Sequence, residues 1–351
     1  MADKVNNSRI ETLDWLRGLM AISIMFYHLT MWKFKTLDSS DFLGRLGIYG
    51  VSIFFILSGL SMAIVYHKNI TSINKLLAFF LRRVFRIIPL LFIVTTFTVF
   101  LNPHLFDIKK YILNITSLFG FFDYGGYIAT GAWSIGNEMV YYIFTPFIFF
   151  AYNYSKLLGN IIFFIVTCIG LYFAFNILDS NILLKHQWKI YIHPFNNFFL
   201  YYSGIAMFYN LKDSHIKPYY NNLLLIVCIL LFIFYPVVGD SIKIITDFNR
   251  IIFVLLSFLI VFSFYKLTIT LPTSIANLLE TFGIATYGVY MFHPVIYNYL
   301  YKFAPKIIIQ NYYIVFVLVV VSTVFIAIVS YYKFEFPLSN YGKKLINKYL
   351  K

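Results

Sequence analysis

The sequence predicts an all-α, polytopic integral membrane helix bundle with about ten transmembrane helices. Three observations carry that expectation. Hydrophobic residues make up 60% of the 351 positions. Only 12% are charged, about half of what a soluble domain carries. Apolar runs long enough to cross a hydrocarbon core of about 30 Å recur from one end of the chain to the other. A chain of this composition cannot hide its apolar surface from water by folding on itself, so lipid must cover it.

The runs fall at 15–34, 46–66, 84–101, 133–152, 157–175, 193–210, 222–238, 250–266, 278–300 and 311–332. The run at 193–210 is interrupted in its first turns by His193, Pro194, Asn196 and Asn197. The segment 105–131 is broken by Asp107, Lys109, Lys110, Asp123 and paired glycines, and reads as an interfacial loop. Ten spans put both termini on one side, as short tails over 1–13 and 333–351. No internal repeat, low-complexity tract or hydrophilic stretch of domain size is present, so residues 1–351 read as one membrane domain without an appended soluble one.

Basic residues orient the bundle. With ten spans the side of the termini carries 16 lysines and arginines, including Arg82, Arg83, Arg86 and the basic carboxy-terminal segment, and the opposite side carries 11. Both termini are therefore expected in the cytoplasm, in a cell inner (plasma) membrane. The net charge of +14 lies at membrane edges, which points to lipid headgroups and phosphorylated substrates and not to nucleic acid. The first span is too long and too polar for a cleaved signal peptide. Cys168 and Cys228 lie inside spans and read as packing residues, with no support for a disulfide, zinc or other metal, or a thiol nucleophile.

The chemistry begins in the first span. Arg17 and His28 lie in an otherwise apolar stretch. Eleven helical positions bring them to within about 20° of one another, roughly 16 Å apart along one face. An arginine in a spanning helix costs about 2.5–3.5 kcal/mol at the bilayer centre, so two ionisable groups on one stripe read as a polar path and an enzyme site.

Six motifs in order then resemble acyltransferase family 3, a family of integral membrane enzymes that O-acylate carbohydrates and some other acceptors. They are L-D-W-L-R-G-L…Y-H from Leu13 to His28, G-V-S-I-F-F-I-L-S-G-L from Gly50 to Leu60, and F-L-R-R-V-F-R-I-I-P from Phe80 to Pro89. W-S-I-G-N-E-M-V-Y-Y from Trp133 to Tyr142, T-Y-G-V-Y-M-F-H-P from Thr286 to Pro294 and F-E-F-P from Phe334 to Pro337 complete the set. Ser52 stands where the family often has Asp, and Met139 where a second Glu is common. Many relatives carry an extracytoplasmic hydrolase-like domain that this sequence lacks, which turns the resemblance toward transferases acting on glycans or lipid-linked sugars.

Acyl transfer to a hydroxyl needs an activated donor, a base and a group to stabilise the oxyanion. On that reading Arg17 binds an acyl-coenzyme A donor, acetyl-CoA, near its phosphates, while His28 acts at the reacting carbon. Arg82, Arg83 and Arg86 are candidate phosphate clamps, or plain positive-inside anchors. Glu138, counted five residues into its span, is expected at the depth of His28, to orient the imidazole, stabilise its charged form or serve as base itself; alternatively it pairs a structural arginine. Trp133, Ser134 and Tyr142 are expected along an acceptor groove, and His293 reads as substrate-facing or structural before it reads as catalytic. The acceptor is a surface-glycan or lipid-linked sugar such as an O-antigen or exopolysaccharide precursor. A second reading is a transporter or flippase of lipid-linked sugars. It predicts internal repeats or paired broken helices, and mass spectrometry of glycans from a deletion strain separates the two.

Overall fold

Uncovered backbone amides are intolerable in hydrocarbon, so an apolar chain of this kind satisfies them within helices. The computed structural model describes residues 10–350. Lys4, Arg9, Lys351 and the first nine residues of the expected amino-terminal tail lie outside the described residues. Among those described, helices of eight residues or more are α1 (Glu11–Lys33), α2 (Phe42–Tyr66), α3 (Ile73–Leu101), α4 (Ile108–Ile115), α5 (Ala132–Tyr154), α6 (Lys156–Tyr172) and α7 (Pro194–Leu211). They continue with α8 (Pro218–Phe234), α9 (Asp247–Tyr265), α10 (Thr273–Ile284), α11 (Thr286–Phe303), α12 (Tyr312–Ser330) and α13 (Phe336–Tyr349).

The protein is an all-α polytopic membrane bundle. A helix lies along each of the ten apolar runs, and five helical stretches are long and apolar enough to cross a membrane: Phe42–Tyr66, Ile73–Leu101, Lys156–Ile177, Asp247–Tyr265 and Tyr312–Tyr349. The expected count of ten is thus met by length and hydropathy in five. α1 and α5 are long but carry polar side chains, α8 is only 17 residues long, and the run 278–300 is divided between α10 and α11 at Ala285. Large apolar side chains stay exposed on α6, α8 and α12, among them Phe164, Leu231, Val321 and Phe325. These are the surfaces that lipid covers.

α1 is packed on two sides. Leu13, Leu16, Met20 and Ile24 belong to the main core with α2, α3, α5, α7 and α9. Ala21, Met25 and Leu29 belong to a second core with Val289 and Ile296 of α11 and Val315 and Val319 of α12. The tightest approach is between α2 and α7: a Cβ on Gly59 would collide with the Tyr201 carbonyl, and one on Gly204 with the Ile56 carbonyl. In lipid, where apolar transfer drives little helix association, such small-residue contacts supply the packing energy.

Three expectations need correction. The short tail expected over 333–351 is helical in its described part: the chain runs from α12 through a π-turn at Tyr331–Glu335 into α13, whose Gly342 packs on Phe85 of α3. Segment 105–131 is not plain loop. It contains α4 and a helical turn at Phe119–Phe122, whose Gly120 lies on the Gly136 backbone. The buried Asn114 then donates to the Gly126 carbonyl and accepts from the Ile128 amide, 12 and 14 residues along the chain, at 2.9 and 2.8 Å. Finally, Arg45 and Arg250, two of the 11 basic residues counted on the side opposite the termini, are buried and not free loop charges. Arg45 donates to the carbonyls of Phe232, Ile233 and Tyr235, which the end of α8 leaves without helical partners. Arg250 holds Asn196 at its side-chain and backbone oxygens, 2.7 and 2.8 Å away.

Candidate active site

α1 runs from a lower end, where α2 finishes, to an upper end, where α2 begins. At the upper end a cavity of about 230 Å³ opens beside His28. α1 contributes Ile24, Tyr27, His28, Met31 and Trp32, and α2 contributes Gly47, Ile48 and Val51. Gly47 is small because the Tyr27 ring lies against it. Two connections close the opposite wall: Tyr127, Thr130 and Gly131 before α5, and Leu184, Trp188 and Tyr191 before α7. The connections are tied together, since Trp188 Nε1 donates to the Tyr127 hydroxyl at 2.8 Å. The Tyr191 carbonyl accepts from Asn196 and Asn197 at 2.8 and 2.9 Å, and Asn137 of α5 donates to the Ile192 carbonyl at 3.0 Å. Gly131 caps α5 with φ +83°, a conformation that a side chain disfavours. Its carbonyl accepts from the Ser134 and Tyr290 hydroxyls, both at 3.0 Å.

His28 Nδ1 lies 2.9 Å from His293 Nε2, and His293 Nδ1 lies 2.9 Å from the Val289 carbonyl. A carbonyl oxygen only accepts, so His293 Nδ1 carries the proton and its Nε2, in the neutral ring, is an acceptor. His28 Nδ1 therefore donates to His293, and His28 Nε2 keeps an unshared lone pair with no protein partner among the described residues. Trp32 stacks on the His28 ring at 5.0 Å with an interplanar angle of 3°. The imidazole is thus held by a neighbour on α11 and a ring on its own helix, in the tautomer a general base requires.

A second polar cluster occupies the lower half. Arg17 pairs with Asp14 at 2.5 Å and reaches the Ser61 hydroxyl and the Leu57 carbonyl of α2. Glu138 accepts from the Ser58 and Tyr142 hydroxyls. Arg83, 7% exposed, donates to the Tyr66 hydroxyl at 3.0 Å and lies over the Tyr66 and Tyr142 rings, while its Nε has no hydrogen-bond partner among the described residues. Arg86 is exposed and within electrostatic reach of Arg17, Tyr142, Tyr287 and Glu335. Arg82 is partly exposed beside Tyr66.

The structure therefore brings the expected residues together as two groups. Arg17 reaches α2 directly, whereas His28 meets His293 of α11 at the cavity that α1 and α2 line. The stripe between them is not open: Met20, 8% exposed, and Ile24, 1% exposed, fill it against Gly50. Glu138 does not partner His28. α5 begins inside the fold, at the cavity wall, and not at the membrane edge, so five residues of helix carry Glu138 about 7 Å down toward Arg17. Tyr142 goes with it to the lower cluster and does not line the cavity. Of the expected acceptor residues Trp133 lines the cavity, Ser134 sits beside it on the Tyr290 hydroxyl, 3.0 Å away, and His293, 1% exposed, stands behind His28 and outside the lining. Trp32, Tyr127, Trp188, Tyr191 and Tyr290 were not anticipated. The available signal was the aromatic content of two long connections that fall at the same end of the bundle.

A half-buried histidine at a cavity, with a basic cluster about two to three turns below it in a lipid-covered bundle, is an arrangement compatible with a membrane-embedded transferase. The acyltransferase domain that defines acyltransferase family 3 matches residues 10–332, and the chain belongs to that family. Searches of curated proteins and of solved structures gave no match.

Proposed function

We propose that this protein is an O-acyltransferase that moves an acyl group, acetyl in the simplest case, from acyl-CoA to a hydroxyl of a cell-surface glycan or lipid-linked sugar such as an O-antigen or exopolysaccharide precursor. The observation that carries the reading is His28 Nε2, held unprotonated by the His28–His293–Val289 chain at the wall of an aromatic cavity. The acceptor hydroxyl gives its proton to Nε2 as its oxygen attacks the thioester carbon. The C–O bond forms, the C–S bond breaks, and the coenzyme thiolate takes the proton back from the imidazolium.

The donor enters from the lower end, which is cytoplasmic in this proposal. Arg17, Arg82, Arg83 and Arg86 receive its phosphates, and the unpartnered Arg83 Nε supplies one donor. Glu138 holds Ser58 and Tyr142 in the wall of that entry and balances the arginines. The pantetheine arm then covers the roughly 16 Å to His28. That requires the flexible Met20 and its neighbour Ile24 to turn aside. Ten spans with both termini in the cytoplasm of an inner-membrane protein, and one domain over 1–351, complete the proposal. It is supported by the basic excess on the side of the termini, the more so because Arg45 and Arg250 on the other side are buried structural groups.

The test is His28→Ala in a deletion strain, followed by mass spectrometry of the surface glycan. Loss of one acetyl mass per acceptor unit, with chain length and membrane abundance of the protein unchanged, is the expected outcome. Retained acylation sinks the assignment of His28, and loss of the whole polymer points instead to transport.

A further inference from the structure

We propose that the cavity beside His28 is a subsite for one neutral pyranose ring and that it rejects a ring bearing a carboxylate or an ammonium group. This rests on the acyl-transfer reading and names the class of acceptor that reading leaves open. Three features of the wall converge on it. First, none of its residues is Asp, Glu, Lys or Arg. A charged group entering it leaves water and touches no counter-charge in the lining, Asp240 and Arg250 being within electrostatic reach only of Tyr27 and Tyr191, a desolvation cost that hydrogen bonds from neutral hydroxyls do not repay.

Second, Tyr27, Thr130 and Tyr191 line the cavity, and their hydroxyls have no hydrogen-bond partner among the described residues. Each can both donate and accept, as can the hydroxyls of a sugar. Together with His28 Nε2 they offer four neutral polar contacts around one small space. Third, the rest of the wall is ring faces and hydrocarbon. Trp133 makes a corner with Trp188 and Tyr191, at centroid distances of 5.8 and 5.7 Å and interplanar angles of 82° and 60°. Such a corner presents flat faces to the C–H surface of a pyranose. The aliphatic members, Ile24, Met31 and Val51 on one wall and Leu184 on the opposite one, suit a methyl group such as that of a 6-deoxy sugar. A volume of about 230 Å³ is room for a group the size of one sugar ring.

Two measurements on the full-length chain in membrane vesicles test this. In the first, labelled acetyl-CoA is supplied with methyl glycosides of a neutral hexose, a 6-deoxyhexose, a hexuronic acid and a 2-amino sugar. The neutral pair should be acetylated with kcat/KM at least tenfold above the charged pair. Thr130→Asp should cut transfer to the neutral pair tenfold or more, raise it for the amino sugar, and leave the KM for acetyl-CoA in place. Charged rings accepted as well as neutral ones overturn the neutral site while leaving acyl transfer standing; no transfer to any glycoside counts against the acyl-transfer reading itself. In the second, which needs no turnover, the same glycosides are titrated against intrinsic fluorescence, since three of the four tryptophans, Trp32, Trp133 and Trp188, line the cavity. A saturable change with the neutral glycosides and none with the charged ones is expected. Equal changes with both, or none with either, overturn the subsite.

Discussion

His28 and His293 divide one task between two helices. His293 fixes the tautomer because its own Nδ1 is committed to the Val289 carbonyl one turn back, so removing it leaves the proposed base, His28, in place but unaligned. His293→Ala should lower kcat about 100-fold, within the range that positioned acid–base groups contribute, with the KM for acetyl-CoA unchanged. A purely structural role would instead reduce the amount of folded protein, and rate profiles against pH on matched amounts of protein separate the two. At the lower cluster the opposite split is expected. Arg17→Ala should raise the KM for the donor tenfold or more and change kcat little, and Arg17→Lys should recover only part, because a single ammonium cannot reproduce the forked contact to Ser61 and Asp14. An unchanged donor KM in Arg17→Ala would remove the donor role from this residue.

Among the elements, α1 carries the site because it is packed on two sides, and α2 sets its depth. The stripe from Arg17 to His28 was legible in the sequence because helical periodicity is local: 3.6 residues per turn fixes which side chains share a face whatever packs there. Its filling by Met20 and Ile24 was equally visible as residue types, but whether a partner helix leaves room beside them is a matter of packing. Met20→Trp should obstruct that stripe. Acetyl transfer should fall at least tenfold while acetyl-CoA still binds, as measured by separate binding and turnover assays. The α2–α7 contact is the stability counterpart. Gly204→Leu forces a side chain into the Ile56 carbonyl, and overpacking of this kind typically costs about 1–3 kcal/mol. A lower melting temperature in detergent, with the residual folded fraction still active, is the expected signature.

At the scale of the whole molecule, residues from the two connections 105–131 and 178–193 build the upper wall, and α13 packs on α3 below through Gly342 and Phe85. Orientation follows from this polarity. In a chain with Cys168 and Cys228 replaced by Ala, a cysteine at Asn181 should react with an impermeant thiol reagent added to intact cells. A cysteine at Lys343 should react only after permeabilisation, and the reverse pattern would invert the proposed topology. Glu138 illustrates why such placement resists sequence reading. Its depth was counted from an assumed membrane edge, whereas α5 starts at the buried Gly131 cap beside the cavity.

The sequence by itself determined the membrane class, the helical runs, the family motifs and the shared face of Arg17 and His28, because each depends on composition or on spacing within one helix. Only the tertiary structure decided that His28 meets His293 across 265 positions, that Glu138 joins the arginines instead, and that Trp188 and Tyr127 complete the cavity. Those contacts join segments distant in sequence, and which segments meet is set by the packing of whole helices, which no local period encodes.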